Sequence, residues 1–376
     1  MQQNGKQIKT QWLALHLIPG LGNRGFKNLI DKFGSPSQVF SADISDLMGV
    51  QYIRRDVARK ITHKDYALDP EKVLAKLERL SAKIITYLDA SYPPQLREIQ
   101  DPPMVLYARG RDIPRDMIFV GVVGSRNPTH YGVVSAKKIA QGLARSGVGV
   151  VSGMARGIDS AAHWGCLDAR GFTIAVQGTG IDSIYPRSNH KLHEQIVENG
   201  LVLTEFPLGT SPEPKNFPIR NRIISGLSRA ITVVEATRKS GSLITASLAL
   251  EQGRDVYAVP GSIHSFKSMG CHFLIKQGAA LVENSDDILH ELGLCYEPET
   301  IEGPTGEGGS SSMEATEETI YNIIGDYPLH IDQIARQGNI EPGEVSNLLT
   351  KMEIKGLIRQ LPGKMFIRNL DGLGNK

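Results

Sequence analysis

The chain has 376 residues, and its 42 Lys and Arg nearly balance its 40 Asp and Glu, for a formal net charge of +2. A nearly neutral chain is not drawn as a whole to nucleic acid or to a membrane surface, so any polyanion site must be a local patch. Cys166, Cys271 and Cys295 are too far apart for a disulfide framework or a zinc knuckle. No apolar run approaches the ~20 residues that span a membrane, and we expect a cytoplasmic protein of roughly two or three domains.

The first part of the chain predicts a small all-α domain over residues 1–65. Apolar residues from Trp12 to Ile18 precede the turn Pro19-Gly20-Leu21-Gly22, and a second helical pattern ends at Gly34. Two helices around such a turn are typical of helix-hairpin-helix units, in which the turn offers backbone N–H groups to a DNA phosphate. The same hairpin also serves as plain helix packing, and the sequence leaves both functions open.

The middle of the chain predicts an α/β domain over residues 66–296. Its first part contains a predicted helix at 70–81 and short strands at 84–88 and 104–108, separated by two Pro-Pro pairs that prevent helix. Apolar runs then alternate with helical patterns, which predicts strands at 118–123, 148–152, 173–177, 201–204, 230–235, 255–260 and 280–282. Because these runs are apolar throughout, both faces of the sheet must be covered, as in a doubly wound parallel, Rossmann-like sheet.

The end of the chain predicts a linker and a third domain. Residues 297–314 are rich in Gly, Ser, Pro and Glu and read as a flexible acidic linker. Residues 315–376 give three helical patterns and a hairpin, the order of a winged-helix domain. The last helix and the hairpin carry Lys351, Lys355, Arg359, Lys364 and Arg368. Winged helices bind DNA or proteins, and since the first helix here is acidic, both functions stay open.

Ligands of a doubly wound sheet bind at the carboxyl ends of its strands, so the loops there are candidate sites. Gly124-Ser125-Arg126 follows the first predicted parallel strand and precedes a helix. A helix N-terminus with a forked arginine beside it suits a phosphate. The next such loop repeats this chemistry with glycines and Arg156, and Ser240-Gly241-Ser242 opens a later helix with hydroxyl and N–H groups.

A further segment, interpreted as a loop, is the densest in charge. Lys215, Arg220 and Arg222 surround Phe217, with Asn221 among them. A basic groove with an aromatic on which a base can stack is the usual chemistry of single-strand binding. A solvated basic loop with the phenylalanine in the core is the other interpretation.

The motifs of several enzyme classes do not occur. The sequence has no P-loop, no G-x-G-x-x-G after Val123 and no nucleophile elbow. His190 and His193 have no third metal ligand nearby in sequence, so we expect no metal. Asp159 and His163 lie four residues apart on a predicted helix and so share one of its faces. They are either an acid–base pair or a helix cap and a structural histidine. We therefore expect binding rather than turnover, with no catalytic residue and no cofactor.

Several motifs, taken together and in order, resemble the DNA-processing protein A family (DprA, also called Smf). They are G-S-R, S-G-M-A-R-G-I-D-S-A-A-H, G-T-G-I-D-S-I-Y-P, F-P-I-R-N-R-I-I-S-G-L-S, S-G-S-L-I-T-A and A-V-P-G, within residues 85–290. The resemblance implies a homodimer that binds single-stranded DNA and loads the RecA recombinase onto it during natural transformation. It also implies a single positively charged DNA-binding pocket. The residues of that pocket would be Ser125, Arg126, Arg156, Lys215, Phe217, Arg220, Asn221, Arg222, Ser240, Gly241 and Ser242.

The alternative is a nucleotide-derivative-binding enzyme or sensor of the related Rossmann-like superfamily. Its acid–base candidates would be Asp159, His163 and Glu235.

Overall fold

The computed structural model describes residues 2–294, 315–325 and 328–368. The chain divides into two compact units, one formed by Met1–Pro128 with Ser135–Cys295 and the other by Thr129–Val134 with Tyr296–Lys376. The linker predicted at 297–314 lies outside the described residues. The predicted domain boundaries stay predictions.

A nine-stranded mixed sheet organises the first unit. Its strands are β1 (Ala82–Thr86), β2 (Val105–Gly110), β3 (Phe119–Gly124), β4 (Gly149–Ser152), β5 (Thr173–Val176), β6 (Leu201–Thr204), β7 (Ala230–Val234), β8 (Asp255–Ala258) and β9 (Ala280–Leu281). Their order across the sheet is β1-β2-β6-β5-β4-β3-β7-β8-β9. The strands from β3 to β9 run parallel, whereas β2 is antiparallel to both β1 and β6. The predicted doubly wound parallel sheet is confirmed, and the two early strands extend one of its edges.

Helices fill the connections between these strands and form the N-terminal segment. They are α1 (Gln2–His16), α2 (Asn23–Phe33), α3 (Pro36–Ser41), α4 (Ile44–Met48), α5 (Arg55–His63), α6 (Pro70–Arg79), α7 (Pro94–Arg97), α8 (His130–Arg145), α9 (Ile158–Asp168), α10 (His190–Asn199), α11 (Asn216–Leu227), α12 (Gly241–Glu251), α13 (Met269–Lys276) and α14 (Ser285–Glu291). Local sequence sets several of their starts. Asp69 accepts hydrogen bonds from the Glu71 and Lys72 N–H groups, and Pro70 occupies the first position of α6.

Each face of the sheet has its own apolar core. Along β5, Ile174 and Val176 belong to one cluster of buried side chains, whereas Ala175 belongs to the other. The cluster that contains Ala175 also contains Trp12 and many apolar side chains of the N-terminal helical segment. The helices of that segment therefore pack into the same core as one face of the sheet.

The strand order places a crevice at the middle of the sheet. From β3 the chain proceeds through β4, β5 and β6 on one side, and then crosses to β7, β8 and β9 on the other. The connections on the two sides of β3 diverge, and such a topological switch point is where open α/β sheets bind their ligands. At this end of β3, a Cβ on Gly124 would overlap the Val234 carbonyl oxygen of β7. Only glycine lets the two strand ends approach so closely.

The second unit contains a small winged-helix fold. Its elements are α15 (Ala315–Ile323), β10 (Leu329–His330), α16 (Ile331–Gly338), α17 (Pro342–Ile354), β11 (Ile358–Leu361) and β12 (Met365–Arg368). The strands form an antiparallel sheet in the order β10-β12-β11, around a core that includes Ile334 and Leu349. Three helices followed by a hairpin were predicted, and β10 was not. Two of the basic side chains of the last helix and hairpin make contacts within this unit. Lys355 pairs with Glu317 at 2.7 Å, and the Arg368 guanidinium covers the Tyr321 ring.

Candidate nucleic-acid interface

A cleft of about 600 Å³ opens at the carboxyl ends of the central strands. It is lined by the loops that follow β3, β4, β5, β6 and β7, together with the N-terminal parts of α9, α11 and α12. The predicted DNA-binding residues in its lining are Ser125, Arg126, Phe217, Arg220, Asn221, Ser240, Gly241 and Ser242. A small chamber of about 50 Å³ beside it is lined by Arg156. The structure thus brings most of the predicted residues together, whereas Lys215 and Arg222 line neither cavity.

The loops after β3 and β4 are joined to each other. The Ile158 N–H at the start of α9 donates to the Ser125 carbonyl oxygen at 3.1 Å. Gly157 has a φ of +85°, and a Cβ there would overlap the same carbonyl oxygen. Ser125 Oγ also accepts the Asn127 N–H at 3.2 Å. These contacts fix the loop that presents Arg126 at the rim of the cleft.

Arg126 lies over the ring of Phe217. Its guanidinium carbon is 5.2 Å from the ring centroid, within the range of a cation–π contact. Beneath the ring, a Cβ on Gly178 would come within 2.9 Å of Phe217 Cδ1. Tyr185 flanks the same ring at 5.6 Å between centroids and is 43% exposed. An exposed cation and two aromatic rings therefore adjoin at the cleft, and Tyr185 was not among the predicted residues.

Arg220 supplies a buried positive charge beneath the cleft. Its side chain is only 3% exposed, and its Nη1 donates to the Val176 carbonyl oxygen at the end of β5. A Cβ on Gly153 would overlap the guanidinium, so the glycine makes room for it. Burial lowers the pKa of Arg220 to about 10, and the Asp159 carboxylate partly offsets this effect. Arg220 therefore stays charged at neutral pH.

Asp159, in the first turn of α9, also lines the cleft. Its Oδ2 accepts the Ala155 N–H at 3.3 Å. Burial raises the pKa of the Asp159 carboxyl above its ordinary value, and Arg220 opposes that shift. This carboxyl stabilises the loop after β4 from within.

Arg222 lies on a different face of α11 from Arg220. The segment that was expected to be a loop forms the helix Asn216–Leu227. Pro218 does not prevent this helix, because it falls in the first turn, where proline is tolerated. Helical residues two positions apart point roughly 200° apart. Arg222 accordingly pairs with Glu205 at 2.5 Å and with Asp101 at 3.1 Å, away from the cleft. Its contact with DNA stays a prediction.

The N-terminus of α12 forms the opposite wall of the cleft. Ser240 caps this helix by accepting the Ser242 N–H at 3.4 Å, and the two hydroxyl oxygens are 2.8 Å apart. Asn221 Nδ2 donates to the Gly241 carbonyl oxygen at 3.4 Å, which links α11 to α12. A helix N-terminus with hydroxyl groups is suited to an anion. Lys215, in contrast, is exposed and pairs with Glu213 at 2.7 Å.

His163 lies in the core, apart from the cleft. Its Nδ1 is 2.7 Å from Thr173 Oγ1, whose hydroxyl donates to the Val150 carbonyl oxygen. The histidine must therefore donate through Nδ1. Burial lowers the pKa of His163 to about 3, so the ring is neutral at physiological pH. These contacts favour a structural histidine over an acid–base pair. The predicted helix cap at Asp159 is wrong, because Gly157 is the N-cap of α9 and Asp159 accepts the Ala155 N–H instead.

Within the part of the chain that the structure describes, no group of three His, Cys, Asp or Glu side chains could hold a metal ion. None of the described helices is long and apolar enough to cross a membrane.

Fold and cleft together define a Rossmann-like protein with a cationic, aromatic cleft at its switch point, joined to a winged-helix unit. The family model described as DNA recombination-mediator protein A matches residues 83–293, and the DprA winged helix domain model matches residues 307–364. The chain belongs to the DprA/Smf family of DNA-processing proteins, as its motifs indicated.

Individual relatives are similar over much of their length. Protein Smf of Synechocystis sp. is 37% identical over 392 residues, which cover 96% of this chain and 98% of the relative. DNA processing protein DprA of Streptococcus pneumoniae is 48% identical over 205 residues, covering 54% of this chain and 72% of the relative.

Two solved structures are similar in fold. The X-ray structure of DprA from Streptococcus pneumoniae aligns with a TM-score of 0.65 and 38% identity, over 74% of this chain and 95% of that one. A structure of DNA processing protein A from Helicobacter pylori, described for the single-stranded DNA binding mode of that protein, aligns with a TM-score of 0.51 and 30% identity. It covers 56% of this chain and 95% of the other.

Proposed function

We propose that this protein binds single-stranded DNA in the cleft at the carboxyl ends of β3, β4 and β7. The observation that carries the proposal is the Arg126–Phe217 contact, a cation and an aromatic face 5.2 Å apart at the mouth of a cationic cleft. Single-strand sites combine these two groups, one for the phosphates and one for the bases. The single-strand binding described for the Helicobacter pylori relative supports the same assignment.

The parts of the cleft have complementary tasks in this proposal. A phosphate lies against the N-terminus of α12 and the Arg126 guanidinium, while buried Arg220 contributes charge from below. An unstacked base lies on the Phe217 and Tyr185 rings. Bases in a duplex are stacked on each other and cannot reach those rings, so the site selects single strands. Arg156, at the neighbouring chamber, extends the path of the DNA backbone.

We also propose that the site acts by binding, without turnover. Two of the side chains that could act as acid or base have structural contacts instead, because Asp159 accepts a loop N–H and His163 bonds Thr173 in the core. The groups that would contact the phosphates are N–H groups and hydroxyls, which donate hydrogen bonds, and guanidinium groups, which also neutralise charge.

Binding is tested by fluorescence anisotropy of a labelled oligo-dT strand and a matched duplex over a salt series. Wild type is expected to prefer the single strand. In a plot of log association constant against log salt concentration, the slope should be about −0.7 for each phosphate that the protein contacts. Arg126→Ala removes one phosphate contact and reduces that slope by about 0.7. Phe217→Ala loses stacking of about 1–3 kcal/mol without changing the slope.

The control is Arg59→Ala, because Arg59 is an exposed cation on α5, far along the chain from the loops of the cleft. It should bind like wild type. Equal affinity for single strand and duplex, unaffected by Arg126→Ala and Phe217→Ala, would contradict the proposal.

We further propose that the bound strand is delivered to the RecA recombinase, as expected of a mediator in natural transformation. The description of the matching family as a DNA recombination mediator supports this step. The measurement is the lag before RecA hydrolyses ATP on single-stranded DNA coated with single-strand binding protein. Wild type and Arg59→Ala are expected to shorten the lag, and Arg126→Ala much less. An identical lag with and without the protein would exclude mediation.

Finally, we propose a homodimer formed through the edge of the sheet at β9. The segment from 263 to 281 exposes several large apolar side chains, namely Ile263 (82% exposed), Phe266 (65%), Met269 (42%), Phe273 (45%) and Leu281 (50%). Met269 and Phe273 lie four residues apart on α13 and so share a face. Several exposed apolar side chains within one segment favour a contact with another protein surface.

Multi-angle light scattering tests the dimer. Wild type is expected at twice the mass of the 41.1 kDa chain, and Phe273→Glu at the monomer mass, because a charge would be buried in the interface. Tyr52→Glu, at another exposed aromatic, should leave the mass unchanged. A monomeric wild type, or a Phe273→Glu variant that stays dimeric, would rule out this interface.

A further inference from the structure

A groove of about 820 Å³ lies beside β1, the strand at one edge of the sheet, and the proposed function leaves it unused. A cavity of about 280 Å³ lies at the amino ends of β3, β7 and β8. The residues that line both are Gln95, Arg115, Met117, Phe119 and Leu227. The two therefore form one depression, here called the amino-end groove. The DNA cleft opens at the carboxyl ends of the parallel strands, so the amino-end groove is a separate site.

The floor of the amino-end groove is apolar but offers no face for a base. Its two aromatic side chains, Tyr92 and Phe119, are 1% and 5% exposed, so neither ring is open to stacking. Ile113 and Met117, in the same lining, are half-buried. Single-strand sites depend on exposed aromatic faces, whereas an aliphatic side chain gains from any apolar floor that removes it from water. The floor therefore suits an aliphatic group.

Three arginines line the part of the groove at the amino ends of the strands. Arg115 and Arg229 are exposed, and neither side chain has a hydrogen bond or ion pair among the described residues. Arg254 is held through Nη2, which donates to the Gln95 carbonyl oxygen at 3.3 Å and to Glu98 Oε2 at 3.0 Å. Its Nε is buried without a partner among the described residues. Buried donors nearly always have partners, so this N–H is open to an acceptor.

The carboxylates of the lining mostly have partners within the protein. Besides Glu98, Asp112 pairs with Lys83, and Asp89 accepts the Thr86 N–H at 2.8 Å. The charges left without a partner among the described residues are those of Asp116 and of three cations, Lys9, Arg115 and Arg229. The unpaired charge is therefore mainly positive. A phosphate backbone is charged along its whole length and would also meet the carboxylates, whereas a peptide can place its carboxylates at the cations alone.

We propose that the amino-end groove binds an acidic peptide segment of a partner protein. An aliphatic side chain of the peptide lies on the apolar floor, and carboxylates on either side of it pair with Arg115 and Arg229 at the rim. A further carboxylate accepts the hydrogen bond of the Arg254 Nε–H. Guanidinium groups suit this ligand because they hold a carboxylate with directed, charge-assisted hydrogen bonds. The peptide and the DNA occupy opposite ends of the strands, so the two bind at the same time.

The probe is a fluorescein-labelled peptide with three aspartates on each side of a central leucine, titrated with the full chain and followed by anisotropy. Wild type is expected to bind it. The double variant Arg115→Glu/Arg229→Glu should bind about tenfold more weakly, because two attractive surface pairs become repulsive. A peptide with serine in place of the leucine should bind wild type more weakly than the leucine peptide, because it loses the contact with the floor.

The matched control is Arg59→Glu, the same charge reversal at an exposed arginine of α5, which should bind the peptide like wild type. The DNA cleft is the competing cationic site, so the titration is repeated with an excess of oligo-dT, and peptide binding should not change. Displacement of the peptide by oligo-dT would place it in the cleft and overturn the proposal. No binding by wild type, equal binding by the double variant, or equal binding of the serine and leucine peptides would also overturn it.

Discussion

The site depends on the placement of one buried cation at the middle of the sheet. The Arg220 guanidinium lies against Gly153, donates to the Val176 carbonyl oxygen and has Asp159 nearby. Burial of this charge is tolerated because the end of β5 provides an acceptor and the first turn of α9 provides the Asp159 carboxylate. The glycines around it are consequences of this packing, since side chains there would collide with the guanidinium or with neighbouring backbone.

A buried ion pair connects the N-terminal helices to the same helix that carries the site. Glu205 accepts from Arg222 of α11 and from Asn23 of α2, whose side chain also accepts the Met104 N–H at 3.2 Å. Burial raises the pKa of Glu205, and Arg222 opposes that shift. Loss of Arg222 would leave this carboxyl buried without its cation, a change that typically costs about 3–5 kcal/mol. The N-terminal segment thus helps to hold α11, and with it Phe217 and Arg220, in place.

Much of this architecture could be predicted from sequence because the signals are local. Unbroken apolar runs identified the parallel strands, and the small-residue loops after them identified Arg126 and Ser240. Features that depend on the fold could not be predicted. Reading α11 as a loop hid the fact that Arg220 and Arg222 point to different faces. Tyr185 meets Phe217 only after folding, since 32 positions in sequence separate loops that the sheet brings together.

Binding of single-stranded DNA on the cleft is tested most directly by photo-crosslinking of a 4-thiothymidine 12-mer, followed by mass spectrometry of the crosslinked peptides. Crosslinks are expected in peptides that contain Arg126, Tyr185 and Phe217, and an excess of unlabelled oligo-dT should abolish them. Crosslinks confined to the winged-helix unit, or to the N-terminal turn at Gly20, would contradict the account.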